Sequence, residues 1–590
     1  MTSVRRLLAI CLLILMPVSA WAQPAPAGAP RPQGPGGGRQ QNAPIPPRDG
    51  RQAEAPRGTA AIRGIVVAAD NGTPVRRAQI RASAPGAGTR VATTDAQGRF
   101  EIRELAAGRY TVSASKAGFV ALQYGQRRPA ESGTPIEIGD GQMLDKLVIA
   151  LPRGSVISGR ITDEFGEPVA NALVMGMRYG YVAGAKRLMP APGENTRDTT
   201  DDQGQFRLFG LSPGEYVVSA TLRTGGPEAT DPAGETPGYA PTYFPGTGNV
   251  LDAQRIALGL TQEQAGVSFS LLATRLVRVS GAILNSQGAP ATGGMVMLTP
   301  AAARIGAGAM MQTMSGRVEQ GGQFRITGVP PGRYLAQVRA MDFRGPAAGR
   351  GGRPMDAGEI GRQEVTVGGE DLDGLVIITA PGGRVTGQIV VESGTTAQLR
   401  MQQVSVTARA ADVEPGLPAG NAPSRVNDDG TFEITNVFDP RLFRVNLPQG
   451  WNLKSITLNG QDITDTPVDI PPGQTLAGVR IVLTDKSTEV SGRVTDIRGD
   501  AVTDATVIVF PADDTRWTFQ SRFVRTARPD LDGRYQIRGL PPLDKYLVVA
   551  VQGLEDGQAS NPEYLATIRE AATSFSLTDA QTRVMDLRWR

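Results

Sequence analysis

One element recurs five times in this chain of 590 residues and constrains its fold more than any other feature. It reads TDAQGRFEIRELAAGRYTVSA from Thr94, TDDQGQFRLFGLSPGEYVVSA from Thr200 and VEQGGQFRITGVPPGRYLAQV from Val318. Two looser copies, VNDDGTFEITNVFDPRLFRVN and PDLDGRYQIRGLPPLDKYLVV, start at Val426 and Pro529. In the first copy Phe100 and Ile102 lie two residues apart and so point to one face of a strand. The preceding Asp-Ala-Gln-Gly supplies turn chemistry, with Gly98 free to take a positive φ. After Leu105 the chain turns again at Ala107-Gly108, and Tyr110, Val112 and Ala114 alternate along the next strand. The element is a turn-strand-turn-strand unit, expected to fold as a hairpin.

Around each copy the same signals return. A short alternating strand bearing a glycine opens each unit: AIRGIVV at Ala61, VISGRIT at Val156, VRVSGAI at Val277, GRVTGQIV at Gly383 and EVSGRVT at Glu489. Another apolar alternation closes it, as in LDKLVIAL from Leu144 or LDGLVIIT from Leu372. Short strands with frequent turns and almost no 3.6-residue periodicity place the chain in the all-β class. The expected organisation is a signal peptide at 1–22, a Pro/Gly-rich linker at 23–58, and units at 59–152, 153–274, 275–382, 383–486 and 487–590. Each unit has the size of one antiparallel β-sandwich, and is too long for a propeller blade of roughly 40 to 50 residues. Five beads in a rod, touching mainly their neighbours, are predicted. Limited helix is expected only in SNPEYLATIREAATSF, Ser560 to Phe575, as a surface insertion.

The N-terminus carries Arg5 and Arg6, the apolar run LLAICLLILM and then Ala20-Trp21-Ala22, the pattern of a cleaved secretory signal. The run falls well short of the roughly 20 residues needed to span a bilayer, and no later segment qualifies. The product is expected in the periplasm or outside the cell. Its linker contains nine prolines and seven glycines and almost no large apolar side chain, so it is expected to stay disordered. The single cysteine, Cys11, lies inside the cleaved run, which leaves no disulfide or thiol chemistry in the exported chain.

Histidine is absent. Ser-His-Asp and Cys-His mechanisms and His-containing zinc sites are therefore excluded, leaving carboxylate chemistry, lysine chemistry, calcium binding or no catalysis. No carboxylate pair stands out, and neither a catalytic residue nor a cofactor is expected. The formal charge of +4 includes Arg5 and Arg6, and five arginines against Asp49 and Glu54 put most of the remainder in the tail. No dense basic face is visible, so nucleic acid is not an expected partner.

Three sets of residues invite a functional reading. Tyr110, Tyr216 and Tyr334 follow a turn glycine by two residues, the spacing of a tyrosine corner that buries its ring and bonds the backbone. The acidic turns Asp201-Asp202, Asp428-Asp429 and Asp530-Leu531-Asp532-Gly533 resemble fragments of calcium loops. Yet the third copy reads Glu319-Gln320-Gly321, so turn formation is the expected role and no metal site is assigned. In the long insertion GYAPTYFPGTGN of the second unit, Tyr239, Tyr243 and Phe244 could form a platform on which a sugar or peptide stacks, with Tyr124 in the corresponding segment of the first unit. The competing reading has these rings covering the edge of their own sandwich.

The pattern I-x-G-x-V/I, then G-x-P-V-x-x-A, then D-x-x-G-x-F-x-I-x-x-L-x-P-G-x-Y resembles carboxypeptidase regulatory-like domains, a transthyretin-like sandwich group related to collagen-adhesin B-type repeats. The fourth unit departs from it with Asp439-Pro440-Arg441-Leu442, and the fifth has an extra residue before Tyr546. The resemblance implies Greek-key sandwiches of about seven strands and a carbohydrate-binding-like classification. It also implies company with peptidases, receptors and adhesins rather than catalysis. The metallocarboxypeptidase activity in the family name needs zinc-binding histidines that this chain lacks. An isopeptide crosslink is impossible in the third unit, which has no lysine. The resulting expectation is an exported, non-catalytic module that binds polysaccharide or an envelope protein, or scaffolds at the cell envelope. An accessory subunit of a secreted peptidase or envelope receptor is the first alternative, and a carboxylate-based hydrolase the second.

Overall fold

The computed structural model describes residues 58–84, 88–126, 133–193, 195–222, 237–301, 313–340, 358–392, 399–411, 423–530 and 532–589. The expected signal peptide and the linker up to residue 57 lie outside the described residues. Strands dominate, and among the described residues the buried apolar side chains form seven clusters, one large cluster around each of the five sequence repeats and a further one in the second and in the fifth. No helix among the described residues is long and apolar enough to cross a membrane.

The opening strands, Ala60–Ala68, Ser155–Thr162, Val277–Leu284, Gly383–Val391 and Glu489–Thr495, each lie between partner strands on both sides. Each pairs antiparallel on one side with the first strand of the recurring element: Gly64 faces Phe100, Gly159 faces Phe206, Gly281 faces Phe324, Gly387 faces Phe432 and Gly492 faces Tyr535. On the other side it pairs parallel with the closing strand, such as Met143–Leu151 or Leu372–Ile378. The antiparallel sandwich expected of each unit carries this one parallel pair as a departure. Alternation looks the same whichever way the partner runs, and the direction is decided by where the intervening chain crosses.

That parallel contact explains the recurring glycine. A Cβ on Gly64, Gly159, Gly281, Gly387 or Gly492 would collide with the backbone carbonyl oxygen of Leu147, Val267, Leu375, Val479 or Met585 respectively. In the first, third and fourth units the parallel register also shifts beside this glycine. The strand glycine therefore marks close backbone approach rather than weak pairing.

The recurring element is not a hairpin. Its two strands do not pair with each other: Arg99–Leu105 joins the opening strand, whereas Gly108–Ser115 pairs with Gln79–Ala84 in the facing sheet. The second, fourth and fifth units divide in the same way, and in the third the short strand Met314–Val318 links both halves into one continuous seven-stranded sheet. The element is thus the corner at which the chain passes from one layer to the other. Phe100, Ile102, Tyr110, Val112 and Ala114 all point into the shared core, where together they remove most of their apolar surface from water.

Helix is confined to short pieces, and its one α-helical segment among the described residues is Pro562–Ile568, capped by Asn561, whose side chain accepts the Tyr564 amide at 2.7 Å. It is more than a surface insertion. Leu565 is fully buried against Ile508, Phe510, Trp517 and Leu547 on the outer face of the fifth unit's sheet.

Contacts between units also differ from an open row of beads. The third and fourth meet through Arg362 and Asp439 at 2.8 Å, and the fourth and fifth through Asp465 and Arg522. The fifth unit then touches two units distant in sequence: Asn561 donates to the Gly184 carbonyl at 2.9 Å, and Arg109 donates to the Arg528 carbonyl at 3.3 Å. Single side chains bonded to backbone carbonyls leave no periodic or compositional mark, so sequence patterns could not announce these contacts.

Candidate functional site

The most regular polar side chains of the chain are held inside its architecture. The hydroxyls of Tyr110, Tyr216 and Tyr334 donate to the carbonyls of Ala106, Ser212 and Pro330, four residues upstream, at 3.0, 2.7 and 2.7 Å. Tyr546 does the same to Pro541, five residues upstream, at 2.8 Å, which accommodates its extra residue. Burial pushes the Tyr334 phenol up to about 12. These rings are corner fasteners, and all four are buried from solvent.

The fourth unit solves the corner differently. Arg441, only 1% exposed, lies where the chain turns into the second layer, and its Nε donates at 2.5 Å to the carbonyl of Phe438. Phe438 follows the buried Val437 as Pro330 follows the buried Val329, so the equivalent carbonyl is satisfied by a guanidinium instead of a phenol. Asp439 lies 4.0 Å from the Arg441 guanidinium and also holds Arg362 of the third unit.

The acidic turns are likewise engaged locally. The Oδ1 atoms of Asp95, Asp163, Asp201, Asp496 and Asp530 each accept two backbone amides, two and four residues downstream, at 2.8–3.0 Å. Asn285 does so in the third unit, with Gln287 and Ala289. A neutral amide serving at the equivalent place shows that the requirement is an acceptor oxygen, not a charge.

The aromatic insertion of the second unit is divided between surfaces. Tyr239 and Phe244 pack on the sandwich core, Phe244 edge-on to Phe269 at 5.9 Å, and Tyr239 donates to Glu164 at 2.9 Å. Burial, reinforced by that bond to Glu164, pushes the Tyr239 phenol up to about 12. Tyr243 instead packs on a separate cluster around Met175, Met177, Leu188 and Val217. Tyr124 leans on the core of the first unit. All four rings remain half-exposed, and the structure does not bring them together on one core.

A site that no motif announced lies where the fourth and fifth units meet. A cleft of about 930 Å³ opens there, lined by Arg409, Arg444, Lys454, Lys486, Arg522 and Arg525, with Asp579 its single acidic side chain. Arg522 grips Asp465 with two nitrogens, Nε to Oδ1 at 2.9 Å and Nη2 to Oδ2 at 2.8 Å, and its Nη1 donates to the Leu453 carbonyl. Arg444 donates to the carbonyls of Thr464 at 2.9 Å and Gln520 at 3.1 Å, crossing from one unit to the other. Its guanidinium is pushed down from the ordinary value by burial, and further by Arg522, Arg409 and Arg525, against the pull of Asp465. Lys454 and Lys486 share Glu392, which the Lys454 ammonium and the Thr484 hydroxyl hold at about 2. The available sequence signal was the arginine-rich stretch RWTFQSRFVRTARP from Arg516, which carries no acid between Asp514 and Asp530.

Residues 61–144, within the first unit, match the family model of the carboxypeptidase regulatory-like domain. The resemblance drawn from the sequence motifs is therefore found there. No curated protein matches the chain. Among solved structures it is similar to the TIE protein of Bacillus anthracis, at 10% identity over 73% of each chain with a TM-score of 0.15. It is also similar to a minor pilin of Streptococcus agalactiae, at 13% identity over 37% of this chain and 97% of that one, with a TM-score of 0.20. A third is the shaft pilin of Lactobacillus rhamnosus GG, at 12% identity over 37% and 97%, with a TM-score of 0.17.

Proposed function

We propose that the chain is an exported, non-catalytic binding and scaffolding protein of the cell envelope, with a polysaccharide or glycoprotein as its ligand. The observation that carries this reading is the use made of the recurring residues. The corner tyrosines, present in four of the units, and the recurring turn acids hold backbone atoms instead of offering a shared chemistry. What differs between units is then what meets a ligand: the half-exposed rings of Tyr239, Tyr243, Phe244 and Tyr124, and the junctions. The match of the first unit to a regulatory-like domain, and a sequence without histidine, support the same reading.

The test is capture of isolated envelope fractions and a glycan array by the chain from Gln23 to Arg590. Saturable capture of a glycan or glycoprotein is expected. Capture of nothing in either format would overturn binding, and hydrolysis of a peptide or glycoside abolished by one Asp or Glu substitution would replace it with catalysis. Alanine at Tyr239, Tyr243 and Phe244 together is expected to weaken capture if the rings touch the ligand.

A further inference from the structure

We propose that the cleft between the fourth and fifth units is an anion-binding site for an acidic oligosaccharide, whose carboxylate or phosphate groups sit among its guanidinium and ammonium groups. This rests on the proposed saccharide-binding function and names the ligand class and its place.

Six of the lining side chains are cationic and one is acidic. Packing like charges at a domain junction is unfavourable unless something compensates, and two carboxylates do so only in part. Asp465 serves both Arg522 and Arg444, and Glu392 serves both Lys454 and Lys486. Among the described residues, neither Arg409 nor Arg525 has a carboxylate within 4.0 Å. The Nη1 of Arg525 donates to the Ser521 and Val524 carbonyls, which orients the group without neutralising it. Arg409 is exposed, and Lys454 and Lys486 are 42% and 47% exposed, so their charges face the opening. The fork of Arg522 on Asp465 already displays the geometry by which a planar guanidinium takes an oxyanion. The volume lies in the range of small-molecule and oligomer sites, which favour domain junctions.

Neutral polar groups decide between classes of polyanion. Ser455, Thr518 and Ser521 line the cleft together with the cations, whereas Trp451, also on its lining, is largely buried in the core of the fourth unit. Hydroxyls interspersed with cations match the hydroxyl-rich face of an acidic sugar better than the apolar side chains of a peptide.

The test is calorimetric titration of the chain from Gln23 to Arg590 with hexagalacturonate, its fully methyl-esterified form, a phosphomannan oligosaccharide and hexaglutamate. Binding of hexagalacturonate or the phosphomannan is expected, weakening as salt rises, with none for the neutral ester; which of the two binds tighter identifies carboxylate or phosphate as the source. Combining Arg409→Glu with Lys486→Glu is expected to cost about tenfold or more in affinity while the chain stays folded, its melting temperature falling only by what the partly exposed Lys486–Glu392 pair contributes, and the Arg409→Gln, Lys486→Gln pair less. Failure of both acidic saccharides, equal binding of the ester, equal or tighter binding of hexaglutamate, or indifference to both double variants would overturn the assignment. Envelope capture that survives the charge-reversed pair would overturn the cleft and leave the proposed function standing. Loss of all capture by the unaltered chain would overturn the function itself.

Discussion

The corners of the third and fourth units do the same job with different chemistry. In the third, the neutral phenol of Tyr334 satisfies the Pro330 carbonyl and needs nothing else. In the fourth, the Arg441 guanidinium satisfies the Phe438 carbonyl but brings a charge into a place 1% exposed, and Asp439 with Arg362 of the neighbouring unit surrounds it. What recurs is therefore an unsatisfied carbonyl at a fixed place, and the side chain that meets it can vary. A neutral solution keeps the corner private to its unit, whereas a charged one ties it to the preceding unit.

The strongest way to break this comparison is Arg441→Met. It leaves the Phe438 carbonyl unmet and Asp439 without one of its cations, and should destabilise the fourth unit by about 2 to 4 kcal/mol. Hydrogen exchange of the amides in Gly383–Val391 reads this locally, and a loss no larger than that of Tyr334→Phe would refute the distinction. Alkaline pH separates the corners next. The Tyr334 phenol is held at about 12 in the folded chain and would ionise near 10 when unfolded. Its contribution is complete below pH 10 and lost as pH rises towards 12, up to about 2 to 3 kcal/mol. Exchange in Val277–Leu284 should accelerate over that window, and Tyr334→Phe should flatten the response. At neutral pH that same substitution removes one hydrogen bond and should cost about 1 kcal/mol by denaturant unfolding. The smallest effect is expected for Arg362→Ala: its pair with Asp439 is partly exposed, so about 1 kcal/mol or less is at stake, and a double-mutant cycle with Asp439→Asn should return a coupling of that size.

Much of each unit could be read from the chain because its signals are local. The Phe-x-Ile alternation, the turn glycines and the tyrosine corners each involve residues within about ten positions, and the structure places Phe100, Ile102 and Tyr110 on the core as expected. Pairing partners were less legible. The two strands of the recurring element look like a hairpin because the turn between them is short, yet each bonds a strand elsewhere. The glycine of each opening strand was visible but not its cause, which is a carbonyl arriving from the far end of the unit. The cleft was hidden for the same reason, since Arg409, Arg444, Lys486 and Arg525 meet only after two sandwiches have formed. For the aromatic insertion the sequence leaves a platform and an edge cover both open, and the structure packs Tyr239 and Phe244 on one cluster and Tyr243 on another.

The parallel pairing of each opening strand with its closing strand sets an order of events. The glycine at Gly64 waits for the backbone of Leu147, and Gly281 for that of Leu375, so the first strand cannot complete its bonding until the last has been made. Each unit is a loop closed end to end, slow to nucleate and abrupt to finish. A chain that emerges from its N-terminus onwards should thus mature in steps, one unit at a time, with the newest always open along one side.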